Sequence, residues 1–374
     1  MTPLAALLLS LAQPADSFPR FEPQEVATDL TIGYAVLVAD IDGDGKPDLL
    51  VVDKHRVVWY ENPTWKPRVI LQGKTAPDNV CAAVADLDGD GKLDIVLGAG
   101  WQPTDTRTPG TLQWLRRGKS LDDEWTLFPI PCDEPTVHRI RVTADRHLIV
   151  APLQGRDCTA KGNWTDGRPV RILRYPLPKE PTKSESWKPE VISGEFYVVH
   201  NFAESPEFPG LLVGHRGGLA MRPWPGFKTH LSDATYAGCQ GASEVAARAW
   251  VTATVEPWHG NTVVLYRPGR TVLDDKLRWG HAVKLADLDG DGNWEVVAGV
   301  RDDPAPGDPF PDRRGVRVYR STDGFKTFTR HAIDPGGVAV EDLAVADLDG
   351  DGRPDIVAVG RQTKNLKVYW NRKP

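Results

Sequence analysis

No stretch of this 374-residue chain reaches the ~20 consecutive apolar residues that a membrane-spanning helix needs, so no segment is expected to cross a bilayer. Nor is there a basic excess. Lys and Arg number 45 against 51 Asp and Glu, and without a basic stripe nucleic acid is not an expected partner. Cysteine is scarce: Cys81, Cys132, Cys158 and Cys239 lack zinc-type spacing, and they permit disulfides in an oxidising compartment without fixing a pairing. Long amphipathic helical patterns are missing, which argues against a helical bundle. There is no Gly-x-Ser-x-Gly elbow, phosphate loop or dinucleotide fingerprint, so the reactions those motifs serve have no support.

What is plentiful points to strands and turns: 35 Gly, 32 Pro and 13 Trp, with 40% apolar residues, enough for a large all-β core. The segment "LAALLLSLA" (4–12) resembles the short core of a signal peptide, with cleavage after Ala12 or Ala15. The expectation is therefore an exported protein, secreted or periplasmic, with residues 1–15 removed and 20–374 forming one domain.

The phrase "ADLDGDGKLDIVLGAG" (85–100) sets four carboxylates within nine residues and then turns apolar. It returns as "ADIDGDGKPDLLVVD" (39–53), "ADLDGDGNWEVVAGV" (286–300) and "ADLDGDGRPDIVAVG" (346–360), so the chain is a repeat protein. Each copy carries carboxylates at positions 1, 3, 5 and 9: Asp40, Asp42, Asp44, Asp48; Asp86, Asp88, Asp90, Asp94; Asp287, Asp289, Asp291, Glu295; Asp347, Asp349, Asp351, Asp355. Carboxylates this close repel one another unless a cation lies between them, and oxygen-only donors in a flexible loop favour calcium, in up to four sites. An EF-hand is excluded because position 12 is Val51, Leu97, Ala298 or Ala358 rather than Glu. A β-branched run follows each loop, which places the loop at the tip of a β-hairpin.

The repeat interval gives the architecture. Asp40 to Asp86 is one step of 46 residues and Asp287 to Asp347 one of 60, and the 201 residues from Asp86 to Asp287 hold four more steps. Aromatic-rich strands at 57–62, 111–117, 170–176, 218–224, 261–268, 315–321 and 366–372 make seven. Further strands follow most of them, as at 65–71, 125–130, 187–193 and "FKTHLS" (227–232), but the seventh has no successor. "RFEPQEVA" (20–27) resembles the missing strand. The expected fold is a seven-bladed β-propeller of four-stranded antiparallel blades, closed by the N-terminal strand.

On these residues the loops resemble the FG-GAP or VCBS repeats of integrin-type propellers, strongly in four blades and weakly in three. The resemblance implies calcium between the two innermost strands, with the main-chain carbonyl of position 7 (Lys46, Lys92, Asn293, Arg353) completing the shell. It leaves activity open, because propellers host many functions.

In an antiparallel meander the start of each innermost strand lies on the face opposite the acidic loops. Aligned by spacing, that position reads Tyr34, Val80, His138, His200, Glu244, His281 and Glu341. His138, His200, His281, Glu244 and Glu341 are the catalytic candidates. The loops between second and third strands share the face and bring Gln154, Arg156, His215, Arg216, Glu256, Trp258, His259, Arg301, Asp302 and Arg361. Of these His259, Trp258, Arg216 and Arg301, with Tyr34, are the substrate-binding candidates. Bases, cations and aromatic rings around one channel suit a polar, anionic sugar. Imidazole can take a proton beside a carbonyl, Arg can stabilise the resulting anion, and a histidine cluster can instead hold a second divalent metal as Lewis acid. Calcium-loop propellers occur in rhamnogalacturonan lyases and in fungal aldos-2-ulose dehydratase, whose propeller precedes cupin domains for which these 374 residues leave no room. Two readings stand: a lyase or dehydratase acting on a uronic-acid-containing or keto sugar, and a non-catalytic module that binds a glycan or a protein.

Overall fold

The computed structural model describes residues 18–227, 236–267, 269–301 and 314–374. Their strands form seven antiparallel sheets, six of four strands and one of three; six run in simple sequential order, and the seventh sets the N-terminal strand beside the C-terminal one. The three-stranded sheet is blade four; its expected outer strand at 227–232 falls almost wholly in residues 228–235, outside the described residues, as does the leader at 1–15. A short 3-10 turn lies at Ser184–Ser186.

The innermost strands are Gly33–Ala39, Cys81–Ala85, Val137–Val142, Val199–Glu204, Glu244–Arg248, Gly280–Ala286 and Val340–Ala346. Second strands such as Asp48–Asp53, Asp94–Ala99, Glu295–Val300 and Asp355–Gly360 are buried along their whole length, because neighbouring blades cover both faces. That is why they read as continuous apolar runs rather than alternating ones. Outer strands are half exposed, as in Lys66–Gln72.

Closure follows the expected route. Arg20–Ala27 pairs antiparallel with Leu366–Arg372, from Arg20 opposite Arg372 to Ala27 opposite Leu366. The Trp370 indole N–H donates to Gln24 Oε1 at 2.8 Å. Closure into a ring removes the exposed sheet edges that an open array would leave.

Five innermost strands carry a β-bulge at their first residues. The register slips between Gly33 and Ala35, Val137 and Arg139, Val199 and Asn201, Gly280 and Ala282, and Val340 and Asp342. The residues skipped are Tyr34, His138, His200, His281 and Glu341. A bulged residue leaves the ladder and its side chain is re-aimed. The disulfide option is not taken up: all four cysteines are unpaired.

Candidate functional site

A cavity of about 140 Å³ opens at the end of the channel opposite the acidic loops. All five bulged residues line it, joined by Val80, Arg139, Trp101, His259, Arg301 and Arg361. The strand starts alone bring residues 34 to 341 together, which is what the repeat register implies.

The imidazoles are held in one orientation. Nδ1–H of His138 donates to the carbonyl of His200 at 3.0 Å, that of His200 to Ser243 at 3.0 Å, and that of His281 to Glu341 at 2.6 Å. A carbonyl can only accept, so in each neutral ring the proton sits on Nδ1 and Nε2 keeps its lone pair. Burial holds all three rings, and His259, well below the ordinary imidazole pKa, with Arg139 or Arg301 and neighbouring imidazoles adding to the effect. The site presents lone pairs, not imidazolium protons.

The same bonding corrects the alignment of blade five. Each histidine addresses the equivalent residue of the next blade, and for His200 that residue is Ser243. Glu244 is regularly paired with Val255, without a bulge, and so drops one step below the cavity. There its carboxylate lies 2.7 Å from His200 Nδ1 and accepts from Asn201 Nδ2 at 2.5 Å. Burial raises its pKa. Glu244 is thus placed to orient His200 rather than to sit on the rim.

His259, a substrate-binding candidate, lines the cavity and also joins the histidine cluster. Its Nε2 is 2.8 Å from His200 Nε2, and its ring centroid is 4.7 Å from that of His281. One nitrogen from each of His200, His259 and His281 lies within 4.8 Å of the others. His138 stands beside this triplet, 4.5 Å from His200 by ring centroids, with its Nε2 accepting from Arg139 Nη1 at 3.3 Å. Trp258 stacks behind His259, centroids 4.7 Å apart, and does not line the cavity.

Glu341 is a hub. Its two carboxylate oxygens accept from Arg301 at 3.0 Å and Arg361 at 2.9 Å, while its carbonyl holds His281. Tyr34 donates its hydroxyl to Asp78 at 2.8 Å, and burial raises its pKa. Trp101, missed in the sequence, packs against His138 in a tilted arrangement with centroids 4.9 Å apart. Arg139 was missed too, although its place directly after His138 was the available signal.

Other loop residues go elsewhere. Arg216 bonds Asn163 at 2.5 Å and His215 packs on Phe196, both away from the cavity. Gln154 is buried, and Arg156 donates to the carbonyl of Arg107 at 2.9 Å. Glu256 is buried among Thr254, Tyr266 and Arg270. Asp302 lies outside the described residues.

On the opposite face the carboxylates gather as Asp40, Asp42 and Asp48; Asp86, Asp88 and Asp90; Asp287, Asp289 and Asp291; and Asp347, Asp349 and Asp351. The glycines at positions 4 and 6 take φ of +83° and +86° in the first loop, where a side chain would be strained. Oxygen-only donors in such a loop fit a hard cation. The ninth carboxylate has a second task. Asp48 accepts from Ile41 N–H and Asn62 N–H, and Asp355 likewise from Leu348 and Asn371, so it latches loop to third strand. Burial pushes both to about 6.

The fold and site together define a seven-bladed propeller with a histidine-lined cavity at one end of its channel and acidic repeat loops at the other. Residues 28–97 and 287–358, which contain all four acidic loops, match the FG-GAP-like repeat. In sequence the chain is similar to aldos-2-ulose dehydratase from Phanerodontia chrysosporium, 27% identical over 261 residues, 57% of this chain. It spans 28% of that relative's length. In structure it is similar to a chain of the mitotic checkpoint complex (TM-score 0.58, 12% identity, covering 100% of this chain and 99% of that one). A chain from the complex of BBS1N with ARL6DN matches likewise (TM-score 0.57, 13% identity, 96% and 98%). So does the WD40 propeller domain of Doa1 (0.56, 10%, 94% and 97%). At such identities these structures speak for the propeller alone.

Proposed function

We propose that this protein is an exported, calcium-stabilised propeller that eliminates water from a keto sugar, with His200, His259 and His281 holding a divalent metal at the cavity floor. The observation that carries this reading is the convergence of those three rings. Three neutral imidazoles with a fourth position open are the donor set of a catalytic zinc site. A metal bound there would supply a Lewis acid for the substrate's carbonyl oxygen.

The chain's own residues supply the rest. Trp101 offers a stacking wall. Arg139, Arg301 and Arg361 make the cavity electropositive, which suits the negative charge that develops on an oxygen when the neighbouring C–H is deprotonated. His138 is the base: it is neutral, outside the triplet, and fixed by the carbonyl of His200 and by Arg139. Loss of a β-hydroxyl with that proton gives net release of water. The relative's name, a dehydratase of aldos-2-uloses, agrees with this class of reaction. Calcium in the four acidic loops and export through residues 1–15 belong to the same proposal. Among the described residues no helix is long and apolar enough to cross a membrane.

The test is metal analysis of the purified protein together with turnover of an aldos-2-ulose. One zinc-class ion per chain beyond calcium, and an unsaturated product lost on His200→Ala, are expected. A chain without such an ion and without turnover would instead be a glycan- or protein-binding module.

A further inference from the structure

The residue two places before each of His138, His200 and His281 has a left-handed backbone: Thr136 (φ +48°), Val198 (φ +54°) and Trp279 (φ +60°). The shared conformation belongs to the turn that feeds a bulged inner strand. The side chains differ. Thr136 and Val198 are each 2% exposed and pack inward, whereas Trp279 is 42% exposed. β-branched and bulky residues are both disfavoured at positive φ, and the same turn is made with Thr and Val elsewhere in the molecule, so its geometry does not call for an indole. Neither backbone nor core therefore explains the indole.

Its surroundings point to the cavity. The Trp279 ring lies 5.8 Å from that of His259, and the Arg301 guanidinium sits 5.2 Å over its face. His259 and Arg301 both line the cavity, so Trp279 stands on the rim. The cavity, at about 140 Å³, is well below the ~300 Å³ at which ordinary ligand pockets begin. Any second ring attached to the reacting sugar must rest outside it.

We propose that Trp279 is the platform of an outer sugar subsite, which receives the pyranose ring next to the reacting one. This rests on the sugar-directed reading of the cavity. An indole presents a broad, rigid apolar face to the C–H surface of a pyranose while its edge stays wet. Arg301, kept in place by Glu341 and the indole, directs N–H groups to the ring hydroxyls.

The test uses unreactive sugars, so that it does not depend on turnover. Binding of glucose, maltose, cellobiose, galacturonic acid and digalacturonate is measured by calorimetry on the wild type and on Trp279→Ala, Trp279→Phe and Trp279→Gly. At least one disaccharide should bind about tenfold or more tighter than its monosaccharide. Trp279→Ala should erase that ratio but keep monosaccharide affinity, and Trp279→Phe should largely retain it. Trp279→Gly, which suits the left-handed backbone, serves the same purpose should the Ala variant not fold. Disaccharides bound no tighter than monosaccharides, or a ratio unchanged in Trp279→Ala, would overturn the subsite while leaving the lyase reading intact. A ratio that depends on Trp279 in a protein without turnover supports the subsite and removes the lyase reading. Failure of every sugar to bind overturns both.

Discussion

His259 Nε2 stands 2.8 Å from His200 Nε2 across 59 residues of chain. Two lone pairs cannot face each other so closely without a proton or a cation between them. His200 carries its proton on Nδ1, so at this contact the shared particle is either the His259 proton or a metal. For zinc added alone, His259→Ala should weaken binding by about a hundredfold or more, in line with loss of one of three protein ligands. His138→Ala should leave zinc affinity within a fewfold, because His138 stands outside the triplet, and should abolish turnover, because the base is lost. Competition against a chromophoric chelator reads the first effect. Equal loss of zinc in both variants would place His138 among the ligands and remove it as the base.

The acidic loops are tied to neighbouring blades through the carbonyl at their second position. Asn62 donates to Leu348, Asn371 to Leu288 and Arg117 to Ile41, each at 2.7 Å. A cation that orders a loop therefore also orders a seam between blades. Calcium should raise the melting temperature by mass action on the native state, and a calcium chelator should lower it by several degrees. The loops should not be equivalent. Asp289 is paired with Arg320 at 2.6 Å and Asp349 with Arg372 at 2.6 Å, whereas among the described residues no cation pairs with Asp42, and the ion pair of its loop is the exposed one of Asp44 with Lys46 at 3.1 Å. Titration by calorimetry should find the loop of Asp40 to Asp48 tightest, and Asp42→Asn should remove the highest-affinity step. Identical melting with calcium and with chelator would reduce the loops to acidic turns.

Removal of residues 20–27 should destabilise the ring far more than loss of any exposed loop of that length. It deletes a strand paired over its whole length, leaves Trp370 without Gln24, and opens a sheet edge that invites association. Thermal melting and light scattering measure the two effects. A truncated chain that melts with the wild type and stays monomeric would refute the closure.

Asp334 joins blade six to blade seven, accepting from Tyr369 at 2.6 Å, Lys367 at 3.0 Å and Gly336 N–H at 2.9 Å. Burial alone would raise its pKa, but the bonds from Tyr369, Gly336, Lys367 and Gly337 outweigh it and hold the carboxyl below its ordinary value of 3.8. A depressed folded-state pKa stabilises the protein above the unfolded value, and that stability is lost as pH falls through the folded one. Asp334→Asn should cost about 1–3 kcal/mol at neutral pH. Urea melts should show the gap narrowing below about pH 3.8, where the wild-type carboxyl is protonated in the unfolded chain. A gap that is constant with pH would mean that the carboxylate charge is not what matters.

The repeat carried most of the fold into view. Acidic phrases of fixed spacing gave the hairpins, aromatic strands gave the blade count, and 20–27 proved to be the closing strand to the residue. The strand-start position was equally legible, because a ring of repeats converts a sequence register into a spatial circle. Legibility failed where one residue of backbone geometry intervened. Glu244 looked equivalent to the histidines, yet blade five lacks the bulge, and nothing in "SEVAAR" announces its absence. His259 reached the cluster through a loop between second and third strands, and Arg216, in a similar loop, turned away to Asn163. Trp101 belongs to the cavity by contact with His138 across blades, which no single repeat encodes, whereas Arg139 was legible from its place directly after His138.

A bulged residue has no partner across the ladder, so its side chain can be exchanged without disturbing the pairing on either side. At the five bulges the propeller holds Tyr34, His138, His200, His281 and Glu341, an aromatic, three imidazoles and a carboxylate in one circle. Such a circle behaves like a set of interchangeable sockets: the sheet fixes where each tip points, and the residue installed decides what chemistry is done there. Propellers that share this framework and differ only at the sockets would diverge in activity while their blades stayed superimposable, and a designer could transplant a new constellation by editing five letters.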